Sequence, residues 1–132
     1  MDLRNFMRRY AEELGGQFLE YDPHHAIIIV PVSGGRAQTV LANVVHNDLY
    51  NRQLISVSSK VCPVRQELDL QMLLTQTSFF NYSRFVIREN YLQVEAVGSF
   101  AHLQEDIAKE MIQEVANLAD QFELKLTGAD VQ

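Results

Sequence analysis

The first residues of the chain carry apolar side chains at the three- and four-residue spacing of an amphipathic helix. These positions are Leu3, Phe6, Met7, Tyr10 and Leu14. Asp2 stands where an N-cap residue accepts a backbone hydrogen bond, and Gly15 and Gly16 follow the last apolar position. The pattern therefore predicts a first helix of about 13 residues.

A block of predicted strands follows this helix. It begins with a short segment at residues 17–21, closed by an Asp22-Pro23 turn, and continues at residues 25–33, 37–45 and 53–61. Ser33-Gly34-Gly35-Arg36 is predicted to be a hairpin turn, because its two glycines can take positive φ angles. An anion-binding loop would need a helix after it, whereas predicted strands lie on both sides.

Alternation of apolar and polar residues marks three of the predicted strands. In residues 53–61 one face holds Ile55, Val57 and Val61 and the other holds Ser56, Ser58 and Lys60. Residues 82–88 and 91–98 alternate in the same way, and Glu89-Asn90 separates them. These two segments are therefore predicted to form a hairpin, and all three strands to have one face in water.

Two more helices are predicted in the second half. A short helix opens at Glu67 or Asp69 and continues to about Thr77. The last helix covers residues 103–124, and its apolar stripe consists of Leu103, Ile107, Met111, Val115, Leu118 and Phe122.

The principal elements follow the order α-β-β-β-α-β-β-α. Short connections between the strands favour an α+β fold, with an antiparallel five-stranded sheet and helices packed on one face. The length of 132 residues suits a single domain, 1–132. The other sheet face is expected to expose apolar side chains, and a homodimer would cover them. The residues expected there are Val40, Tyr82, Val86, Tyr91 and Val97.

Composition and charge limit the classes of partner and the cellular location that are expected. The longest apolar run, residues 26–32, is too short to cross a bilayer, and the first ten residues lack the apolar core of a signal peptide. Cys62 is the only cysteine, so an internal disulfide is impossible and a cytoplasmic location is expected. The formal net charge of −6 argues against nucleic acid and anionic membranes as partners.

The negative charge is concentrated on the last predicted helix. Residues 1–60 are neutral overall, so residues 61–132 account for the net charge. A solvated helix face is one interpretation, and an acidic docking surface for a basic partner is the other. The acidic surface consists of Glu105, Asp106, Glu110 and Glu114.

The sequence contains no recognisable catalytic motif. The four histidines lack the spacing of metal ligands, so neither a metal nor a cofactor is predicted. Cys62 has no histidine near it in sequence and is expected to be a buried structural thiol. Glu95 is an isolated acid among apolar neighbours, and alternation places it beside Gln93 on the polar face.

An aromatic cluster, Ser78-Phe79-Phe80-Asn81-Tyr82, lies between the short helix and the hairpin. It is either a plug that joins helix to sheet or part of a peptide-binding groove, since aromatic residues anchor interfaces. The candidate partner contacts are Val40, Phe79, Phe80, Tyr82, Val86 and Tyr91.

The second half resembles two related protein families. The relevant segments are residues 70–74, YSRFVI at 82–87, YLQVEAV at 91–97, and a helix ending in VANLAD at 115–120. With the order of the elements, they resemble the type III secretion chaperone fold and, more closely, the YbjN-type family of small bacterial proteins. The resemblance implies a homodimeric, non-enzymatic binding protein. Chaperones of this fold hold an extended client segment against apolar patches, whereas YbjN-type proteins are described as regulators.

Three functions remain open at this point. The first is a non-catalytic homodimeric module, chaperone-like or regulatory, that binds a protein segment by apolar contacts and strand addition. The second is an enzyme or small-ligand binder with a pocket between sheet and helices, for which Glu95, His102 and Cys62 are the available residues. The third is a structural subunit of a larger assembly that uses the acidic last helix.

Overall fold

The computed structural model describes residues 1–22 and 24–128. These residues form an α+β fold of three α-helices and six strands. The elements are α1 (Leu3–Leu14), β1 (Gln17–Asp22), β2 (His25–Pro31), β3 (Ala37–Asn47), β4 (Arg52–Pro63), α2 (Leu70–Thr77), β5 (Ser83–Arg88), β6 (Tyr91–Ser99) and α3 (Glu105–Thr127). Of the predicted Asp22-Pro23 turn, Pro23 lies outside the described residues.

All six strands belong to one antiparallel sheet with the order β1-β2-β3-β4-β6-β5. The prediction of five strands was wrong, because β1 is a full strand that pairs with β2 from Gln17–Ile29 to Asp22–His25. Its sequence gave a weak signal because β1 is an edge strand and Leu19 on it is exposed.

The helix ends follow the capping residues identified in the sequence. The Asp2 side chain accepts a hydrogen bond from the Asn5 backbone N–H, and Gly15 ends α1 in the left-handed conformation. The Asp69 side chain caps α2 in the same way, through the Met72 N–H. Gly128 ends α3 with φ of 73°.

Helices α1 and α3 pack on one face of the sheet. Cross-strand pairing places Phe18, Ile28 and Val40 in one row on this face. A second row contains Ala42, Val57 and Ala96. Val40 is 0% exposed in the hydrophobic core. The expectation that Val40 lies on the open face is therefore corrected, because its pairing with Ile28 fixes it on the helix-covered face.

The predicted hairpin turn after β2 also fastens the sheet to α3. Gly34 and Gly35 both have positive φ angles, as expected for the turn. A Cβ atom on Gly34 would lie 2.5 Å from Nη1 of Arg36, so glycine leaves room for the guanidinium. Arg36 donates to both carboxylate oxygens of Asp120, at 2.9 and 2.8 Å, and Asp120 is buried on α3. This bidentate ion pair links the hairpin to the last helix.

The sheet divides into two arms between β3 and β4. The β3–β4 ladder begins at the pair of Asn47 with Arg52 and ends at the pair of Leu41 with Ser58. Pairing of β3 with β2 continues beyond this point to Ala37, and pairing of β4 with β6 continues to Pro63. Side chains bridge the gap beyond Leu41 and Ser58. Ser59 Oγ donates to the Thr39 carbonyl oxygen at 2.6 Å, and Gln38 Nε2 donates to the Lys60 carbonyl oxygen at 3.0 Å. We call this gap the fork.

Candidate functional site

The face of the sheet that α1 and α3 leave uncovered changes character from one edge to the other. One cross-strand row crosses all six strands, and its members are Leu19, Ile27, Leu41, Ser58, Glu95 and Arg84. The half on β1–β3 is apolar, and the half on β4–β5 is polar and charged. We call this surface the open face.

Glu95 is the most deeply buried charged group on the open face, with 3% of its surface exposed. Its carboxylate accepts hydrogen bonds from Ser56 Oγ at 3.0 Å, Arg84 Nη2 at 3.1 Å and Arg88 Nη1 at 2.8 Å. Burial raises the pKa of Glu95, but the hydrogen bonds from Arg88, Arg84 and Ser56 outweigh it and hold the pKa below its ordinary value. Glu95 is therefore ionised at neutral pH.

The two arginines explain how a carboxylate is buried on a face without a covering helix. Arg84 and Arg88 lie on edge strand β5, and each side chain is about half exposed while its guanidinium contacts Glu95. Their guanidinium groups donate hydrogen bonds to the carboxylate and remain partly in water. The arrangement is a structural ion cluster that also gives the open face two exposed cations.

A cavity of about 570 Å³ lies on the open face at the fork. Its apolar side is formed by Ile27 and Leu41, and its polar side includes Ser58, Lys60, Arg88 and Gln93. This volume lies within the range of about 300–1,000 Å³ that small-molecule sites occupy. It is an open-face cavity, whereas the sequence suggested a pocket between sheet and helices.

Two amide side chains in the cavity wall have acceptor oxygens without a donor in the described part of the chain. Gln38 uses its Nε2 for Ser59 Oγ and the Lys60 carbonyl, while its Oε1 accepts nothing. The Oδ1 of Asn43 is likewise buried without a donor. Buried polar atoms are normally paired, so these two oxygens are acceptors that a donor in the cavity can satisfy.

A second surface is apolar and lies where α2 meets edge strand β5. Five large hydrophobic side chains are exposed on α2, on β5 and on the segment between them: Leu70, Leu74, Phe79, Tyr82 and Ile87. Leu74 and Phe79 are 70% and 75% exposed. A groove of about 190 Å³ runs between the two elements and is lined by Leu70, Leu73, Leu74, Phe85, Val86, Ile87 and Leu92. We call this the α2–β5 surface.

The aromatic cluster contains one partly buried ring and one exposed ring. Phe80 packs edge-to-face against Phe85 and Phe122, so it joins the segment to the sheet and to α3. Phe79, in contrast, points into solvent. The buried ring therefore anchors the segment that presents the exposed ring.

The remaining predicted contact residues are divided between the two surfaces. Tyr82 belongs to the α2–β5 surface, and Val86 lines its groove. Tyr91 lies at the charged half of the open face, where the Lys60 ammonium sits 5.0 Å from the centre of its ring.

Three members of the predicted acidic surface make contacts within the chain. Glu105 forms an ion pair with Arg9 at 2.8 Å, and Glu110 accepts a hydrogen bond from the Tyr82 hydroxyl. Glu114 accepts from the backbone N–H groups of Asn81 and Tyr82, both at 2.8 Å, and from Ser83 Oγ at 2.7 Å. Asp106 is exposed.

Glu114 acts as a cap for the start of β5. Burial raises the pKa of Glu114. Hydrogen bonds from the Ser83 hydroxyl and from the backbone of residues 81–83 lower the pKa by more than burial raises it, so the net shift is downward. An ionised Glu114 thus holds the segment that carries the aromatic cluster.

The contacts of Glu95 do not include His102 or Cys62. Cys62 is buried in the core, where desolvation raises the pKa of its thiol, and His102 is exposed before α3. His25 contacts Asp22 at 2.8 Å, and His46 lies 3.5 Å from Asp48. Within residues 1–22 and 24–128, no three His, Cys, Asp or Glu side chains are grouped as metal ligands.

Comparison with known proteins gives no match to any protein-family model or to any curated protein. No helix in the described part of the chain combines the length and apolar character that a membrane span requires.

Proposed function

We propose that this protein is a non-catalytic protein-binding module, chaperone-like or regulatory, that acts in the cytoplasm as a homodimer. The observation that carries the proposal is the α2–β5 surface, where five large hydrophobic side chains are exposed and three of them, Leu70, Leu74 and Ile87, line one groove. Clustered apolar side chains on a surface mark interaction sites, whereas scattered ones do not.

The geometry of the α2–β5 surface suits a protein partner. Its groove is shallow and almost wholly apolar, and the exposed side chain of Leu74 in its lining is one that a partner can cover. β5 is an edge strand whose Phe85 N–H already contacts the Thr77 hydroxyl of α2 at 3.5 Å, so an added strand of a partner can pair with the rest of this edge. The partner that we propose for this surface in the free protein is a second copy of the chain, and a client segment competes with it.

Light scattering on the purified protein tests this function. The unaltered chain is expected to be a dimer at micromolar concentration, and Leu74→Glu to be a monomer, because a carboxylate would be buried in the interface. The matched control is Leu49→Glu, since Leu49 is 80% exposed in the β3–β4 turn, away from the α2–β5 surface. Leu49→Glu is expected to remain a dimer.

A monomeric unaltered chain would contradict the homodimer. The client role is then tested by affinity capture from native cells with the unaltered protein, Leu74→Glu and Leu49→Glu. A stoichiometric partner lost only from Leu74→Glu supports the binding module. Equal capture by all three proteins, or none, argues against the α2–β5 surface as its site.

A further inference from the structure

The open-face cavity has a polarity that the α2–β5 surface lacks. Its wall on β2 and β3 presents the aliphatic side chains of Ile27 and Leu41 beside the polar side chains of Gln38, Thr39 and Asn43. Its opposite wall includes Lys60 and Arg88. We infer that this cavity binds a small organic acid, with the carboxylate at the two cations and an apolar body against the two aliphatic side chains. The inference does not depend on the proposed function, because no residue belongs to both surfaces.

The cationic end of the cavity can accept an anion. Lys60 lies over the Tyr91 ring, and its ammonium has no ion-pair partner in the described part of the chain. Arg88 uses Nη1 for Glu95, which leaves other guanidinium donors for a second acceptor. Glu89 also borders the cavity, so the rim carries two positive charges against one negative charge in a chain with net charge −6. An anion therefore finds attraction here that most of the surface does not offer.

The apolar end of the cavity limits the length of the ligand's apolar part. Ile27 and Leu41 are half-buried cross-strand neighbours, so they form a continuous aliphatic wall. Glu95, in the same row as Leu41, lies two strand spacings or about 10 Å away, and Gln93 lies two residues further along β6, where β3 and β4 separate. The distance from Leu41 to the cationic end is therefore more than about 10 Å, so a straight-chain acid such as octanoate can lie extended between the two ends. The hydroxyl of Ser58 and the amide of Gln93 line the region between the two ends.

Octanoate and octan-1-ol provide a matched pair of probes, since they share a chain length and differ in charge. Each is titrated into the ¹⁵N-labelled protein, and backbone amide shifts are followed by NMR. Octanoate is expected to bind saturably and to shift the amides of Thr39, Leu41, Ser58, Lys60 and Gln93. Octan-1-ol is expected to bind at least tenfold more weakly, because it forgoes charge-assisted hydrogen bonds.

Lys60→Gln and Lys125→Gln test the cation with a matched control. Both lysines lie over an aromatic ring, Tyr91 or Phe122, but only Lys60 lines the cavity. We expect Lys60→Gln to weaken octanoate binding about tenfold and Lys125→Gln to leave it unchanged. Both lysines are exposed, so neither replacement disturbs the core.

Any of the following results would overturn the inference. The first is the absence of saturable octanoate binding at millimolar concentration. The second is octanoate binding with shifts centred on the α2–β5 surface. The third is equal affinity for octanoate and octan-1-ol, or equal octanoate affinity in Lys60→Gln and the unaltered chain. None of these results bears on the oligomeric state, so this inference and the proposed function fail separately.

Discussion

The helix-covered face of the sheet and its open face both bury side chains, but they do so by different means. On the helix-covered face, Ile28, Val40 and Val57 are removed from water by α1 and α3. On the open face, Ser58, Gln93 and Glu95 are buried although the helices pack on the other side. Neighbouring polar side chains and the arginines Arg84 and Arg88 cover these three residues. Burial on the first face excludes water from apolar groups, whereas burial on the second face requires paired polar groups.

The ion pairs of the two faces also differ, because one joins distant segments of the chain and the other joins neighbouring strands. Arg36 and Asp120 are 84 positions apart and join a hairpin to α3, so this pair fastens distant parts of the chain. Glu95 pairs with Arg84 and Arg88, which are 11 and 7 positions away on the neighbouring strand. The first pair therefore stabilises the tertiary fold, and the second stabilises a local surface with cations left at its edge.

Two adjacent isoleucines on β2 give the sharpest test of this difference. Ile28 is fully buried under the helices, whereas Ile27 is half-buried on the open face. Ile28→Ala is expected to lower the free energy of unfolding by about 3 kcal/mol, because it leaves a cavity in the core. Ile27→Ala is expected to cost about 1 kcal/mol, since only part of its surface is buried. Urea unfolding measures both, and equal losses would show that the open face is as tightly packed as the core.

Glu95→Gln tests the buried cluster and is expected to have an intermediate effect. The replacement weakens the hydrogen bonds from two half-exposed arginines, so we expect a loss of about 1–2 kcal/mol at pH 7. The pKa of Glu95 is lowered in the folded protein, so its contribution is present above the ordinary carboxyl pKa and is lost as the pH falls through the folded value.

The difference in the free energy of unfolding between the unaltered chain and Glu95→Gln should therefore shrink as the pH falls below the ordinary carboxyl pKa and through the lowered folded value. Other carboxylates with lowered pKa values, such as Glu114, are common to both proteins and cancel. Urea unfolding at several pH values measures the difference. A pH-independent difference would mean that the charge of Glu95 is not what stabilises the cluster.

The smallest effect is expected for an ion pair that lies wholly on the surface. Glu105 on α3 pairs with Arg9 on α1, and both side chains are about half exposed. Glu105→Gln should change the free energy of unfolding by less than about 0.5 kcal/mol, because water and salt screen such pairs. Thermal unfolding at low and high salt provides the measurement. A loss as large as that of Glu95→Gln would contradict the distinction between covered and exposed carboxylates.

The sequence allowed prediction of most elements because their signals are local. The apolar spacing and the caps at Asp2, Asp69 and Gly15 fixed α1 and the start of α2. The turn at Glu89 and Asn90 was also recognisable, and both residues have positive φ angles. These features depend on residues within one or two helical turns or within one hairpin.

Register and edges were harder to predict, because they depend on pairing between distant segments. The face occupied by Val40 follows from its pairing with Ile28, and an isolated strand pattern does not contain that information. For the same reason, Glu95 was placed on the polar face by alternation, but its partners Arg84 and Arg88 were not predicted. The open-face cavity was missed as well, since it arises where β3 and β4 separate.

The fork has a consequence for the motion of the sheet. Beyond Leu41 and Ser58, side chains of Gln38 and Ser59 replace the backbone ladder between the two arms. Two side-chain hydrogen bonds break at a lower free energy than a cooperative ladder, so the arms can separate there while the rest of the sheet stays intact. We expect hydrogen exchange at residue 60, whose backbone faces the fork, to be faster than at residues 54–57 of the same strand. The fork would then be the least rigid part of an otherwise rigid sheet. A molecule bound in the open-face cavity would set the angle between the two arms.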